Sequence, residues 1–373
     1  ACYGAVSTST PRIDALSYQG QRFTQFTTAG PGDLASQYAL LTGRVARRGQ
    51  LPALASPGTG ALDSREWTLA EAFRKASYHT SFIGGWHLGD LTGSRPNDQG
   101  FVLFHGLPWG PDLTPAPPLL ENGTAISPAP SDLLEALVSR AESEIAAQSS
   151  GPFFMIFQPP SLPTTGTSLL GTYGHWIEAL DSATGRLLDQ LQVSGVAGDT
   201  LVVFLSDGGA NRNVTSYPNG SNGQLRDGKG STWEGGVRAP LIARWPGVIP
   251  AGDNQATLWL PDLQRTLVDL IDGYQSADRP LDGSTRPDVL LGVRTRPDAS
   301  TPVFLYRHTG SSYQLQALRS GKWKLHLSAV NTEPGNTAST TAPLLFDLLV
   351  DPSERINRAV SETSILTALQ QAA

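Results

Sequence analysis

An acidic residue stands at a predicted helix start, a position where proteins often bind anions or mount a reactive side chain. In the segment GPGDLASQYALLTGR, residues 30–44, Asp33 follows a Gly-Pro-Gly break and precedes apolar residues at helical spacing. The unpaired backbone N–H groups of a helix N-terminus attract negative charge. Asp33 could therefore take part in chemistry, or it could only cap the helix by accepting backbone hydrogen bonds.

A second acidic residue, Asp207, closes a continuous apolar run. The segment DTLVVFLSDGG, residues 199–209, is typical of a strand that is buried on both faces of a parallel sheet. The ligands of such sheets bind beyond the carboxyl ends of the strands. We therefore expect Asp207 to face a binding site.

Three familiar catalytic or binding motifs are missing or incomplete. The segment around Lys229 resembles a phosphate-binding P-loop, but Gly230 stands where a Ser or Thr would ligate magnesium. No G-x-S-x-G nucleophile elbow occurs, and the 6 His residues lack the spacing of a zinc site. The single cysteine, Cys2, excludes an internal disulfide and a cysteine-ligated metal.

Alternating helix and strand patterns would position these residues. Thr68 and Glu71 have the spacing of a helix capping box. Apolar periodicity predicts helices over 66–77, 131–148, 175–192 and 261–273, and short apolar runs predict strands over 80–85, 153–157 and 201–205. The alternation indicates an α/β fold with a large mixed, mostly parallel sheet flanked by helices.

The pattern changes beyond residue 275. Apolar segments joined by short turns predict strands within 301–308, 312–328 and 344–349, followed by a helix near 362–371. We therefore divide the chain into an α/β domain over residues 1–275 and a small α+β subdomain, an antiparallel sheet with a helix, over residues 276–373.

Composition excludes some partners. The 373 residues carry a net charge of −6, and no run of Lys and Arg suits phosphate binding, so nucleic acid is not an expected partner. No apolar run reaches the ~20 residues of a membrane-spanning helix. The chain opens on ACYG without a signal peptide or an initial Met, which indicates a mature or trimmed form.

Acceptor sequences for N-glycosylation point to the outside of the cell. The triplets NGT, NVT and NGS lie in Gly- and Pro-containing segments and place candidate glycans on Asn122, Asn213 and Asn219. We therefore expect a secreted or cell-surface glycoprotein. The segment 208–228 carries the last two of these residues, and glycans there would crowd the pocket beside Asp207.

Motifs spread over essentially the whole chain resemble the sulfatase family, within the alkaline phosphatase superfamily, and arylsulfatase A-like enzymes in particular. The most specific are GGWHLG and GKGSTWEGGVRAP. The segments that carry the resemblance run in family order and are TPRIDALSYQGQRFTQF, ALLTGR, WTLAEAF, GGWHLG, DQGF, ALDSATGRLLDQL, DTLVVFLSDGG, LRDGKGSTWEGGVRAPLIARWPGVIPAG, LRSGKWKLH and LFDLLVDPSE.

The resemblance implies a definite chemistry. In this family a Cys in C-x-P-S-R becomes formylglycine, whose hydrated aldehyde attacks the sulfur of a sulfate ester. Calcium, held by an Asp pair after the first strand, a later Asp-Asn pair and the formylglycine, polarises the sulfate. Arg, Lys and His side chains neutralise the developing charge and move protons.

The sequence departs from that pattern at most of these positions. Counting back from Thr42-Gly43-Arg44 places Asp33 at the nucleophile position. Asp207, Lys229 and His87 match the family residues. The family proline, arginine, lysine, histidine and metal-binding asparagine are replaced by Ala35, Gln37, Gly85, Ser161 and Gly208. The first strand of the family, with its Asp pair, is not found in the sequence.

These losses predict a pseudoenzyme. Without its nucleophile an enzyme can lose ~10⁶ in rate, and a carboxylate at position 33 repels sulfate. We expect no cofactor; calcium, which prefers 6–8 oxygen ligands, could occupy a weak vestigial site at Asp207 with Asp33. The expected role is structural or binding, in an extracellular assembly with other proteins or glycans. The alternatives are an active arylsulfatase that uses residues outside this sequence, and a module that binds sulfated glycans through Lys229 and His87.

Four roles for Asp33 stay open at this point. Its carboxylate could cap the helix through the amides near Ala35 and Ser36, or it could pair with Lys229, which could also turn to Asp207. It could also ligate a metal or act as a nucleophile.

Overall fold

The computed structural model describes residues 2–5, 8–110, 116–127, 130, 132–160, 173–212, 220–275, 278–297, 302–332 and 339–373. The helices in these ranges are α1 (Pro11–Gln19), α2 (Asp33–Thr42), α3 (Ala46–Gly49), α4 (Leu69–Lys75), α5 (Leu133–Gln148), α6 (Tyr173–Val193), α7 (Glu234–Val237), α8 (Leu260–Asp269), α9 (Pro287–Leu290) and α10 (Thr363–Ala372).

The strands are mostly short. They are β1 (Gln21–Phe23), β2 (Phe26–Thr27), β3 (His79–Gly85), β4 (Leu103–Leu107), β5 (Leu120–Glu121), β6 (Thr124–Ala125), β7 (Phe153–Gln158), β8 (Val202–Leu205), β9 (Leu241–Arg244), β10 (Gly252–Asn254), β11 (Leu258–Trp259), β12 (Val303–Thr309), β13 (Ser312–Ser320), β14 (Trp323–His326), β15 (Ala329–Val330), β16 (Ser339–Thr340) and β17 (Leu344–Asp347).

Two mixed sheets form the α/β part of the molecule. One has the strand order β6-β5-β4-β3-β7, in which β4, β3 and β7 are parallel. The other has the order β10-β1-β9-β8, in which only β1 and β10 are parallel. The predicted α/β class with mixed sheets is confirmed. The predicted single large, mostly parallel sheet is instead divided into these two sheets, and each of them contains antiparallel as well as parallel pairs.

Local sequence signals place the helices as predicted. The Thr68 hydroxyl accepts a hydrogen bond from the Glu71 amide, and the Glu71 carboxylate accepts one from the Thr68 amide, which confirms the capping box of α4. The predicted helix from residue 131 begins at Leu133, because the Asp132 carboxylate accepts from the Glu135 amide and occupies the cap position.

The C-terminal strands form the predicted antiparallel sheet, in the order β12-β13-β14-β17. A buried charge network joins this sheet to α7. The Lys324 ammonium, which is fully buried, lies 2.8 Å from Glu234 and 3.2 Å from Glu354, and His326 lies 2.7 Å from Glu354. Each carboxylate is therefore offset by a neighbouring cation or ring N–H, as burial of charge requires.

The sequence predicts no membrane-spanning helix. Within the described ranges, no helix is long and apolar enough to cross a bilayer.

Candidate active site

Helix α2 brings Asp33 to the carboxyl ends of the strands. Gly32, in an extended conformation, occupies the position before the helix, and Asp33 is the first helical residue. The prediction that Asp33 caps the helix is therefore wrong. The helix begins one residue earlier than a cap at Asp33 requires, and the Asp33 side chain pairs with a lysine instead.

That lysine is Lys229, whose ammonium lies 2.5 Å from the Asp33 carboxylate. Backbone hydrogen bonds fix the lysine segment beside α2, from the Gly230 amide to Pro31 (2.9 Å) and from the Lys229 amide to Ala210 (3.1 Å). Burial alone would raise the pKa of Asp33, but the attraction of Lys229 outweighs it and holds that pKa below its usual range. The ion-pair role considered for Asp33 is thus the one that the structure shows.

Asp207 follows β8 and joins the same cluster. Its backbone carbonyl accepts a hydrogen bond from the Ser36 hydroxyl at 2.6 Å, and its carboxyl group is hydrogen-bonded to that of Asp33. Burial, and then the charge of Asp33, raise the pKa of Asp207 to about 7. Below about pH 7 the two carboxyl groups therefore hold about one proton between them, and Lys229 offsets the remaining charge.

His87 completes the set of retained residues. It is 7% exposed and has a left-handed backbone conformation, with φ of 50°. Burial lowers its pKa, and the charge of Asp33 only partly opposes this effect. The imidazole is therefore neutral at pH 7 and adds no positive charge to the pocket.

Gly85 leaves the space that His87 uses. A Cβ atom at position 85 would lie 2.8 Å from His87 Nε2, so any side chain there requires the imidazole to move. The lysine that the family resemblance implies at this position is thus replaced by a glycine and a histidine ring packed against it.

Gln37 forms a neutral network where the resemblance implies an arginine. Its amide nitrogen donates to the Gly85 carbonyl (3.2 Å) and to the side-chain oxygen of Gln158 (3.1 Å). Its amide oxygen is buried and has no hydrogen-bond partner. Since Asp33 and Gln37 are four residues apart on α2, they lie on the same helix face. The pocket floor is therefore polar without being cationic.

The residues present do not fit a calcium ion. Among the described residues, no group of three His, Cys, Asp or Glu side chains is placed to hold a metal. Asp33 is already paired with Lys229, Asp207 retains its proton to about pH 7, and Gly208 offers no side-chain oxygen. A hard cation that prefers 6–8 oxygens finds too few free ones here.

The structure brings four predicted residues together and adds one that the sequence reasoning missed. Asp33, His87, Asp207 and Lys229 form one cluster, as expected. Gln158 was missed, although it ends the strand β7 in the same way that Asp207 follows β8. The rule that ligands bind beyond the carboxyl ends of strands could have found it.

The remaining predicted site residues lie elsewhere. Ser161, Asn213 and Asn219 fall outside the described residues, so the proposed crowding of the pocket by glycans stays a prediction. Asn122 is exposed on the tight turn between β5 and β6, far along the sheet from β7, and its side-chain oxygen accepts a hydrogen bond from the Phe104 amide at 2.8 Å.

Known proteins that are similar to this chain are sulfatases. The family described as Sulfatase matches residues 1–274. The chain is 33% identical to arylsulfatase A of Bos taurus, over 95% of this chain and 79% of that protein. It is 30% identical to N-acetylgalactosamine-6-sulfatase of Canis lupus familiaris, over 99% of this chain and 80% of that protein.

Solved structures share the whole architecture. Ps i-CgsB, solved in complex with k-i-k-neocarrahexaose, superposes with a TM-score of 0.83 at 25% identity, over 98% of this chain and 86% of that chain. The PsFucS1 sulfatase from Pseudoalteromonas sp. superposes with a TM-score of 0.82 at 26% identity, over 98% and 84% of the two chains. With the motifs, the fold and these relatives in agreement, the chain belongs to the sulfatase family.

Proposed function

We propose that this sulfatase-family protein does not hydrolyse sulfate esters and has a binding or structural role. The observation that carries the proposal is the 2.5 Å ion pair between Asp33, at the family's nucleophile position, and Lys229. An attacking carboxylate must approach an anionic sulfate. Asp33 instead forms an ion pair with the lysine that would otherwise bind that sulfate. Because the two groups are paired, the Asp33 carboxylate is not free to attack and the Lys229 ammonium is not free to bind sulfate.

The charge of the cluster supports the same proposal. Asp33 and Lys229 cancel, His87 is neutral, and Asp207 retains its proton to about pH 7. Sulfate-ester hydrolysis develops negative charge that fixed cations must stabilise. Gln37 and Gly85 supply none, so the pocket lacks this stabilisation.

We further propose that the protein acts outside the cell as a glycoprotein, with other proteins or glycans as partners. The support is the acceptor triplet at Asn122, which lies at an exposed turn, and the triplets at Asn213 and Asn219.

A turnover assay tests the absence of catalysis. The purified chain is incubated with an aryl sulfate, with and without added calcium, beside Asp33→Ala as a matched variant. The expected result is the same background hydrolysis in all samples. Turnover by the unmodified chain that disappears in Asp33→Ala would contradict the proposal and establish an active sulfatase, the second candidate, which the names of the relatives favour.

A binding assay separates a third candidate, a module that recognises sulfated glycans. Lys229 and His87 are the retained residues that could contact sulfate, and the Lys229 side chain is 34% exposed. The proposed neutral cluster predicts no sulfate-dependent signal on a glycan array. Binding that disappears in Lys229→Met and His87→Ala would instead support recognition of sulfated glycans.

A further inference from the structure

The turns that follow strand β17 expose several apolar side chains close together. Four of the thirteen large hydrophobic side chains that are exposed among the described residues lie within residues 349–360, here called the C-terminal turn segment. They are Leu349, Val350, Ile356 and Val360, and their exposed fractions range from 54% to 90%. A folded protein rarely leaves such a group in water unless the surface contacts something.

Buried aspartates hold the first part of this segment in a fixed shape. Asp347 accepts hydrogen bonds from the Leu349 amide through its carboxylate (3.1 Å) and from the Val350 amide through its carbonyl (3.3 Å). The carboxylate of Asp351, the next residue, accepts from the Ile356 amide at 2.8 Å. Ordered turns therefore bring these apolar residues together.

The last part of the segment is tied to the same strand. The Arg358 amide donates to the carbonyl of Leu345, in β17, at 2.7 Å. The Asn357 side chain accepts from the amides of Leu345 and Ala359, each at 3.0 Å. Val360 comes directly after these contacts, so both ends of the segment lie beside β17 and form one surface.

The exposed charged groups of the segment are basic. Arg355 and Arg358 are exposed, and neither guanidinium forms an ion pair with any residue that the structure describes. The two acidic residues of the segment, Asp351 and Glu354, are buried. The surface that combines the apolar side chains with these arginines is therefore positively charged where it meets solvent.

The neighbouring elements do not cancel this charge. Lys322 lies beside the first turn, because the Leu348 amide donates to its carbonyl at 2.8 Å, and it is already paired with Asp347. Helix α10 has no charged residue, and Glu362, just before it, is half-buried. In a chain with a net charge of −6, this surface keeps an excess of positive charge.

We propose that the C-terminal turn segment docks on a lipid bilayer that carries anionic headgroups. Its four exposed apolar side chains would enter the boundary between headgroups and acyl chains, where apolar area leaves water. Arg355 and Arg358 would remain at the level of the headgroups and donate hydrogen bonds to phosphate oxygens. The apolar and basic residues act together, because binding at a bilayer surface grows with both contributions.

Two features favour a bilayer over a protein partner. The apolar side chains project from turns, up to 90% exposed at Val360, whereas the residues that anchor protein interfaces sit in packed pockets. A second copy of the chain fits poorly as well. In a two-fold dimer this surface would face itself, and the arginines of the two copies would repel each other.

Co-sedimentation of the full chain with vesicles tests the proposal. The vesicles are made of phosphatidylcholine alone, or of phosphatidylcholine and phosphatidylglycerol in equal amounts. We expect the chain to sediment only with the mixed vesicles and to be released by salt, because salt screens the attraction. Arg355→Gln and Arg358→Gln should each weaken this binding by about fivefold.

Matched variants test the apolar contribution. Leu349→Ser combined with Val360→Ser should weaken binding at least about tenfold and leave the urea midpoint unchanged, since both side chains are exposed. The control combines Val293→Ser and Arg296→Gln, an exposed valine and arginine on the loop after α9, and should bind like the unmodified chain. Equal binding to both kinds of vesicle, binding to neither, or an equal loss in the control would overturn the proposal.

A fluorophore on the segment provides a second readout. Val360→Cys and, as the control, Val293→Cys, each in a Cys2→Ser background, are labelled with a dye that shifts to the blue in apolar surroundings. We expect the shift on mixed vesicles at position 360 only. Analytical ultracentrifugation without vesicles tests the other occupant. A dimer that Leu349→Ser with Val360→Ser dissociates, together with an unshifted dye, would assign the surface to a second copy and overturn the proposal. Neither readout involves sulfate turnover, so the result is independent of the proposed function.

Discussion

The ammonium of Lys229 lies 2.5 Å from the carboxylate of Asp33, and each residue favours the charged form of the other. The two come from distant segments, held together by the hydrogen bond from the Gly230 amide to Pro31. The pair converts a position that faces substrate in the sulfatase family into an internal contact.

A double-mutant cycle measures the coupling between Asp33 and Lys229. Because the side chains are 24% and 34% exposed, solvent screens the pair, and we expect a coupling free energy of about 1 kcal/mol. The measurement is urea unfolding of Asp33→Asn, Lys229→Met and the double variant. Strictly additive single effects would show that the contact contributes nothing to stability.

Asp207 should make the stability depend on pH. Its pKa is about 7 in the folded protein and about 3.9 in an unfolded chain. Between these values the folded state binds more protons, so this contribution to stability is complete below about pH 4 and is lost as the pH rises to about 7. We expect Asp207→Asn, which keeps a hydrogen-bond donor beside Asp33, to lose less stability than the unmodified chain between pH 5 and pH 8.

The comparison isolates Asp207 because its neighbours are common to both proteins. The pKa of His87 is lowered by burial, so His87 changes stability in the opposite sense. The pKa of Asp33 is also lowered, and its contribution is lost only in more acidic solution. Parallel pH profiles of the urea midpoint in the two proteins would contradict the raised pKa of Asp207.

The sequence identified most residues of the candidate site, but it did not determine the contacts between them. Asp33, His87, Asp207 and Lys229 were recognised from motifs, and the structure clusters them. The choice among four roles for Asp33 could not be made, because the partner of a carboxylate depends on how the segment around Gly230 docks on α2. The neutral network of Gln37 and Gln158 joins residues from α2 and β7, and no local pattern links them.

The sequence predicted the elements that depend on local patterns. It did not predict which strands pair, because pairing joins distant segments. The capping box of α4 and the apolar periodicity of α6 depend only on residues that are close in the sequence, and both helices form as expected. The separation of β7 from β8 depends on which strands pair, which periodicity does not encode.

Gly208 and Gly209 should respond differently to a side chain. A Cβ atom at Gly208 would meet only the Gly236 carbonyl oxygen at 3.6 Å, whereas one at Gly209 would lie 1.7 Å from the Gly235 carbonyl oxygen. We expect Gly208→Ala to change the free energy of unfolding by less than about 0.5 kcal/mol, and Gly209→Ala to cost about 3 kcal/mol through backbone displacement. Thermal unfolding of both variants checks this. Similar losses would indicate that position 208 is also sterically closed.

The acceptor triplet at Asn122 can be tested without disturbing its turn. Asn122 has φ of 48°, a conformation that Asn tolerates, so its replacement would strain the turn as well as remove the glycan. Thr124 is exposed, and Thr124→Ala removes the hydroxyl of the triplet, together with a γ-methyl group, and leaves Asn122 in place. After secretion from eukaryotic cells, we expect the Thr124→Ala protein to be one glycan lighter and Thr124→Ser to retain it. Equal masses would show that Asn122 is not modified.

Two lysines of the C-terminal hairpin should differ greatly in their contribution to stability. Lys324 is fully buried between Glu234 and Glu354, whereas Lys322 is 47% exposed and pairs with Asp347 at 2.6 Å. Lys324→Met leaves buried carboxylates without their cation, so we expect a loss of about 3–5 kcal/mol. Lys322→Met should cost less than about 1 kcal/mol, because solvent screens an exposed pair.

The stabilities of the two lysine variants should also depend on pH in different ways. Burial alone would raise the pKa of Glu234, but Lys324 and the nearby arginines hold it below its usual range. That contribution to stability is present above the unfolded pKa, about 4.3, and is lost as the pH falls further. Lys324→Met should therefore weaken the loss of stability in acid, and Lys322→Met should leave it unchanged. Equal urea midpoints for the two variants at pH 7 would contradict the assignment of Lys324 as the cation that stabilises the contact between α7 and β14.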